Sequence, residues 1–167
     1  LGCNDLYVAL YTEHTPLKEV VSQVEEQKLT RFLLDFHRTT HFDTVAVLGL
    51  NPHAGDNGVL GDEERIIERA IDAANLSLGQ GIFYGPMVAD TAFTPHALKE
   101  YNRIVAMYHD QGLTPLKALH FEESINVSLN LPIIRSSVDH GTAFDIAYSK
   151  TLTPSIISYI NAVKFHL

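Results

Sequence analysis

His14, His53 and His109 each follow an apolar, strand-like run by only a few residues. In an α/β sheet the carboxyl ends of strands are where ligand groups gather. Three neutral imidazoles can hold a divalent metal and leave coordination positions open, so that the ion polarises a substrate hydroxyl or carbonyl. The alternative for any one histidine is a loop or helix-capping role. His37, His41, His96, His120 and His166 have no comparable setting, and His140 is intermediate because it lies in an Asp-His-Gly turn. Zinc, cobalt, magnesium and manganese all fit a divalent site, with imidazoles leaning towards zinc or cobalt over magnesium.

The elements that must position these residues alternate between strand and helix. Leu6 to Leu10 reads as a strand, and Pro16 can open a helix at its first turn, which puts His14 at a strand-to-helix junction. From Leu17 to Asp43, Val20, Val21, Val24, Leu29, Phe32, Leu33 and Phe36 recur at helical spacing, with Thr30 as a cap between two helices. Val45 to Leu50 is a continuous apolar run suited to a buried parallel strand, and the turn-rich segment Asn51 to Gly58 carries His53. Asp62 to Asn75 predicts a helix with acids at its start and Ile66, Ile67, Ala70, Ile71 and Ala74 on one face. Ile82 to Tyr84 predicts a short strand, Ala89-Asp90-Thr91 a loop, and Pro95 to Tyr101 a short helix.

Ile104 to Tyr108 predicts another buried strand, followed by His109-Asp110-Gln111-Gly112 and a short helix through Lys117. Ile125 to Leu131 predicts a strand and Pro132 to Ser137 an extended continuation. Asp139 to Thr142 then forms a loop entering a helical turn at Ala143 to Tyr148. Thr153 caps a last helix in which Ile156, Ile160, Val163 and Leu167 share a packing face. Strands alternating with helices predict an α/β fold with a largely parallel sheet flanked by helices.

The chain has 167 residues, of which 46% are hydrophobic and 19% charged, enough for a core and unlike disordered, collagenous or coiled-coil sequences. Twelve basic against twenty acidic residues give a net charge of −8, without the basic run that nucleic-acid binding needs. Cys3 is the single cysteine, which excludes an intramolecular disulfide and a cysteine-based zinc site and suits a reducing compartment. No run of eighteen apolar residues or leader pattern is present, so the expectation is a cytoplasmic protein without membrane partners. The start at Leu1, directly before a strand, leads us to expect a fragment.

Four strings carry a resemblance: Leu50-Asn51-Pro52-His53-Ala54-Gly55, Ala89-Asp90-Thr91, Met107 to Leu113, and Arg135 to Ala143. Together, and in this order, they resemble the 4-hydroxythreonine-4-phosphate dehydrogenase (PdxA) family of vitamin B6 synthesis. Thr12 to Leu17 resembles the family segment with the first metal-binding histidine. The resemblance implies a fold like that of isocitrate and isopropylmalate dehydrogenases, truncated at the N-terminus, and a homodimer with active sites between subunits. Residues of about 1–130 correspond to the metal, substrate and dimer-forming lobe, and about 131–167 to a segment returning towards the cofactor lobe.

The resemblance makes His14, His53 and His109 the metal ligands, with one histidine reaching the partner subunit's site. It makes Lys117, Asn126 and Arg135 substrate-binding groups, with Asp90 beside substrate or a metal ligand. These types suit their roles: Lys117 is a point charge, Arg135 a planar fork for carboxylate or phosphate, and Asn126 can orient a hydroxyl or amine. The implied reaction is metal-dependent, NAD-linked oxidation and decarboxylation of 4-phosphooxy-L-threonine, a phosphorylated hydroxy amino acid. No Gly-x-Gly-x-x-Gly follows a strand, so a Rossmann dinucleotide site is not supported, and NADP stays open because no motif marks the adenosine-ribose contacts. The implied cofactor segment holds Asp139, His140, Gly141, Thr142 and Asp145, and departs from the family pattern where Tyr148-Ser149-Lys150 replaces glycine. Alternatives are a related dehydrogenase for phosphorylated threonate or erythronate or for a cyclic diol acid, a metal-dependent hydrolase, and a non-catalytic metal-binding dimerisation fragment. The family's N-terminal half is expected to be needed for efficient turnover.

Overall fold

The apolar runs pair side by side. The computed structural model describes residues 1–139, 141, 144, 146–149, 151 and 155–166. Within it, β1 (Gly2–Cys3), β2 (Leu6–Leu10), β3 (Val45–Leu48), β4 (Phe83–Met87), β5 (Arg103–Ala106), β6 (Ile125–Ser128) and β7 (Arg135–Val138) form one sheet in the order β4-β3-β5-β2-β1-β6-β7. The β4-β3-β5-β2 portion is parallel, and β1, β6 and β7 extend it through antiparallel pairs. Parallel neighbours need crossovers. These are supplied by α1 (Leu17–Gln23), α2 (Glu26–Thr40), α3 (Glu63–Leu78), α4 (Ala89–Ala92) and α5 (Ala97–Glu100). After β5 comes α6 (His109–His120), and α7 (Ile157–Lys164) packs on β6 and β7.

Alternate strand residues face opposite layers. Val45, Val47, Val105 and Met107 pack with Leu29, Leu33 and Phe36 of α2 and Ile67, Ala70 and Ala74 of α3. Leu6, Val8, Ala46, Leu48, Ile104 and Ala106 pack on the other face with Ala92 of α4 and Leu113 and Leu116 of α6. Leu33 is fully buried at the α2–α3 seam. Leu33→Ala is therefore expected to lose about 2–5 kcal/mol through lost burial and a residual cavity, read as a lower urea midpoint with an unchanged slope.

Several local expectations are corrected. The helix break falls at Val24–Glu25, not at Thr30. Val24 is buried and turns the chain, while Thr30 lies inside α2 with its hydroxyl on Glu26 O. Asp90 sits in the short helix α4 rather than a loop, and α6 begins at His109 itself. In α7 the buried positions are Ser158 and Ala162, whereas Ile156, Ile160 and Val163 are exposed. The reason is hydrogen bonding at close approach: Ser158 Oγ donates to Ser124 O (2.5 Å), and Ala162 O accepts from Ser136 Oγ (2.9 Å). The helix begins after Ile156, and Thr153 and Leu167 lie outside the described residues. Among the described residues no helix is long and apolar enough to cross a membrane.

Candidate functional site

Two adjacent parallel strands deliver two of the three histidines to one place. The register aligns Leu10 with Ala106, and pairing continues past both strand ends: Tyr11 N donates to Ala106 O (2.9 Å) and Thr12 N to Met107 O (3.2 Å). The buried Thr12 hydroxyl also donates to Met107 O (2.7 Å). The chains diverge only at Glu13-His14 and Tyr108-His109, each at the mouth of a helix. The imidazole centroids of His14 and His109 are 5.6 Å apart with the rings tilted by 43°. They line an open cleft of about 270 Å³ together with Glu13, Thr15, Leu17, Val20, Tyr108 and Asp110.

His109 has a carboxylate beside it. Its Nδ1 lies 2.7 Å from Asp110 Oδ1, with the His109 side chain 41% and the Asp110 side chain 82% exposed. As a surface ion pair this contact contributes little to stability. As an orienting contact it matters more: a proton on Nδ1 donated to Asp110 leaves Nε2 as the free lone pair, the arrangement seen behind many metal-bound histidines.

His53 stands apart, on an exposed turn that follows β3. Among the described residues no three His, Cys, Asp or Glu side chains come together as a metal site. The Pro52–Gly58 turn is left-handed, with φ of 52° at His53, 49° at Ala54, 78° at Gly55, 43° at Asp56 and 56° at Asn57. β3 is β5's other neighbour, and Gln111 joins their ends. Its Oε1 accepts from Met107 N (2.7 Å) and its Nε2 donates to Gly49 O (2.7 Å). The α4 helix with Asp90, exposed, packs against the turn.

Asn51, at the root of this turn, donates through Nδ2 to Glu63 Oε2 (2.7 Å). That bond holds the Glu63 carboxyl below its ordinary value. The folded state thus favours ionised Glu63, whose contribution is complete above the ordinary carboxylate range and is lost as pH falls through the lowered value. Glu63→Gln is expected to flatten this acid-side part of the stability profile while leaving neutral-to-basic dependence unchanged, as melting across acidic buffers would record.

The remaining predicted residues lie away from the cleft lining. Lys117, about two turns further along α6 than His109, has its ammonium 3.3 Å from Asp139 O and 3.6 Å from Asp139 Oδ1. That contact ties a predicted substrate group to a predicted cofactor group. Asn126 in β6 pairs with Ser137, and Arg135 in β7 donates from Nη1 to Ser128 Oγ (2.7 Å). Gly2 pairs with both Tyr7 and Ile125, so the end of β6, with Arg135 opposite, lies level with the end of β2. Asp139 N meets Ser158 Oγ (3.3 Å) and Gly141 is exposed. His140, Thr142 and Asp145 lie outside the described residues.

The donor chemistry fits a borderline divalent ion: two imidazoles converge, one of them oriented by a carboxylate. Sequence reasoning missed Thr12, Gln111 and Glu64 as builders of this region. Gln111 stood in the quoted Met107 to Leu113 string, but its bridging role needs β3 and β5 to be neighbours. Glu64 read as one of several acids at a helix start, and nothing local separates a buried acid there from a solvated one.

The comparisons with known proteins agree along the chain. A 4-hydroxythreonine-4-phosphate dehydrogenase from Sulfurimonas denitrificans is 61% identical over 164 residues, covering 98% of this chain and 53% of that protein. The crystal structure of 4-hydroxythreonine-4-phosphate dehydrogenase from Klebsiella pneumoniae matches with TM-score 0.80 and 36% identity, over 99% of this chain and 51% of that one. A terephthalate 1,2-cis-dihydrodiol dehydrogenase from Burkholderia xenovorans matches with TM-score 0.71 and 27% identity, over 96% of this chain and 52% of that one. The chain thus spans about half the length of the curated relatives it matches. The model of the family described as pyridoxal phosphate biosynthetic protein PdxA matches residues 1–166, and the chain belongs to that family.

Proposed function

We propose that the chain supplies the metal- and substrate-binding half of an NAD-dependent dehydrogenase for 4-phosphooxy-L-threonine in pyridoxal phosphate biosynthesis. In that reaction the substrate's hydroxyl carbon would give up a hydride and its hydroxyl a proton, and the resulting keto acid would lose carbon dioxide and take up a proton at the carbon that carried it, leaving 3-amino-2-oxopropyl phosphate. The observation that carries this reading is the convergence of His14 and His109 at the ends of adjacent parallel strands in a PdxA-family chain.

His14 and His109 would hold a divalent metal from one subunit, and His53, on its exposed turn, would complete the set from a partner subunit in a homodimer. When bound, the ion supplies Lewis acidity at the substrate hydroxyl and NAD supplies the hydride acceptor. Asp110 fixes the His109 ring, and Asp90, on the helix packed against the His53 turn, would stand beside substrate or a metal ligand. Arg135 and Lys117 receive the phosphate and carboxylate, and Asn126 orients the hydroxyl or amine. Asp139, His140, Gly141, Thr142 and Asp145 would contribute to NAD binding, and residues 131–167 would belong to the segment that leads to the cofactor lobe. The exposed Ile133, Ile134, Ile160 and Val163 suit a segment that continues into further structure. The lone, reduced Cys3 suits a cytoplasmic setting.

A second reading is favoured by the likeness to the terephthalate dihydrodiol dehydrogenase: a related oxidation of an unphosphorylated cyclic diol acid. Joining the chain to the N-terminal half of the Sulfurimonas denitrificans relative gives a protein on which both can be measured. Metal-dependent NADH formation with 4-phosphooxy-L-threonine, faster than with phosphorylated threonate, phosphorylated erythronate or a cyclic diol acid, is the expected result. No turnover of any phosphorylated hydroxy acid with NAD would sink the reading, and preference for the diol acid would select the second.

A further inference from the structure

Glu64 is a buried carboxylate, 7% exposed, and nothing in the proposed chemistry uses it. Its Oε1 accepts from Leu50 N (2.9 Å) and Asn51 N (2.6 Å), and its Oε2 from Asn51 Nδ2 (3.0 Å). All three donors belong to the two residues that precede Pro52-His53. The carboxylate is also boxed in: a Cβ on Gly55 would stand 2.6 Å from Oε2, and one on Gly49 3.3 Å from Oε1. Burying a carboxylate is costly unless it is fully hydrogen-bonded, and three N–H donors in a closed pocket meet that demand.

The same pocket abuts the longest run of left-handed backbone among the described residues. Residues 53–57 all have φ between 43° and 78°, and four of the five are not glycine. Left-handed backbone costs such residues roughly 1–2 kcal/mol each, so consecutive ones need fastening from outside. Glu64 grips the entry to the turn through Leu50 and Asn51, and touches its middle at Gly55. We infer that Glu64 is a positioning residue, which locks the left-handed turn 53–57 and so sets how His53 is presented to the metal. This rests on the ligand role proposed for His53.

Glu64→Gln keeps the shape but turns an N–H donor towards the Asn51 amide donor, and flipping either amide forfeits another bond. We expect the Leu50 and Asn51 amides to exchange hydrogen at least about ten-fold faster, and Co(II) affinity to fall by at least about ten-fold, in the range for groups that orient metal ligands. Combined with His53→Ala, the substitution should add no further loss of affinity, because both act through one ligand. Asn51→Ala, which spares the carboxylate and both backbone donors, should move exchange and affinity the same way by less, and serves if Glu64→Gln fails to fold. Unchanged exchange, or wild-type Co(II) affinity in Glu64→Gln beside weakened binding in His53→Ala, would overturn this inference alone. Wild-type affinity in His53→Ala would overturn the ligand assignment and this inference with it.

Discussion

Alanine at His14 or at His109 lowers affinity for Zn(II) or Co(II) by more than about a hundred-fold, exceeding the loss typical of groups one step removed from the ion. The two rings sit 5.6 Å apart in one cleft, so removing either leaves an incomplete donor set. Matched substitutions at His37 and His166 should bind metal as wild type does. His37 Nδ1 meets Phe42 O at 3.0 Å and His166 Nε2 meets Ser136 Oγ at 2.7 Å, contacts within α2's end and the β7–α7 packing. Titration with Co(II), followed by its visible absorption, measures all four variants on one scale. Asp110→Asn should fall between the two groups, since it removes the charge that orients His109 and leaves both rings in place.

Gly112→Ala is expected to destabilise the fold and weaken metal binding together. A Cβ there would meet Val8 Cγ1 at 2.6 Å, Ala106 Cβ at 2.9 Å and Leu10 Cδ2 at 3.1 Å. Val8 and Ala106 are buried, and Val8 is branched and stiff, so the helix must lift. Overpacking of this kind costs about 1–3 kcal/mol, against a helix-propensity gain of at most about 1 kcal/mol, so the net sign is destabilising. For a chain of this size each lost kcal/mol lowers the melting temperature by about 2–4 °C. His109 opens the same helix, so a lifted α6 also shifts it relative to His14. Gly81→Ala is the control, because its Cβ would meet only Tyr84 Oη, at 3.7 Å. A Gly112→Ala protein that melts and binds metal like wild type would mean that α6 does not set the ring spacing.

The core strands were legible because their signal is local. The apolar runs around Val47 and Val105 are buried on both faces and Leu6 to Leu10 on one, at Leu6 and Val8, and such runs read directly from hydropathy. The pairing of His14 with His109 was foreseen as a shared location at strand ends, but only the β2–β5 neighbourhood makes it a contact. His53 shows the limit from the other side: its motif was plain, while the five positive φ values around it depend on Glu64, thirteen and fourteen residues from the amides it binds. Thr30 does not break the helix because Leu29 and Leu33, buried at the α2–α3 seam, stay in one continuous helix, and that seam is not visible in local capping preferences. In the last helix the apolar face and the buried face differ, which hydropathy does not show. Ser158 and Ala162 are buried instead because small residues let backbone and hydroxyl groups meet.

Mixing two variants tests the shared metal centre most directly. A His53→Ala protein and a His14→Ala protein each lack a complete ligand set if His53 serves the partner subunit, and neither alone should bind Co(II) tightly. Subunits of the two, unfolded together and refolded as a mixture, should regain tight Co(II) binding at about a quarter of all sites, because half the dimers are mixed and each mixed dimer holds one intact set. Recovery near that fraction is the result this account predicts. A mixture that binds no better than its components, while refolded wild type binds fully, would contradict it.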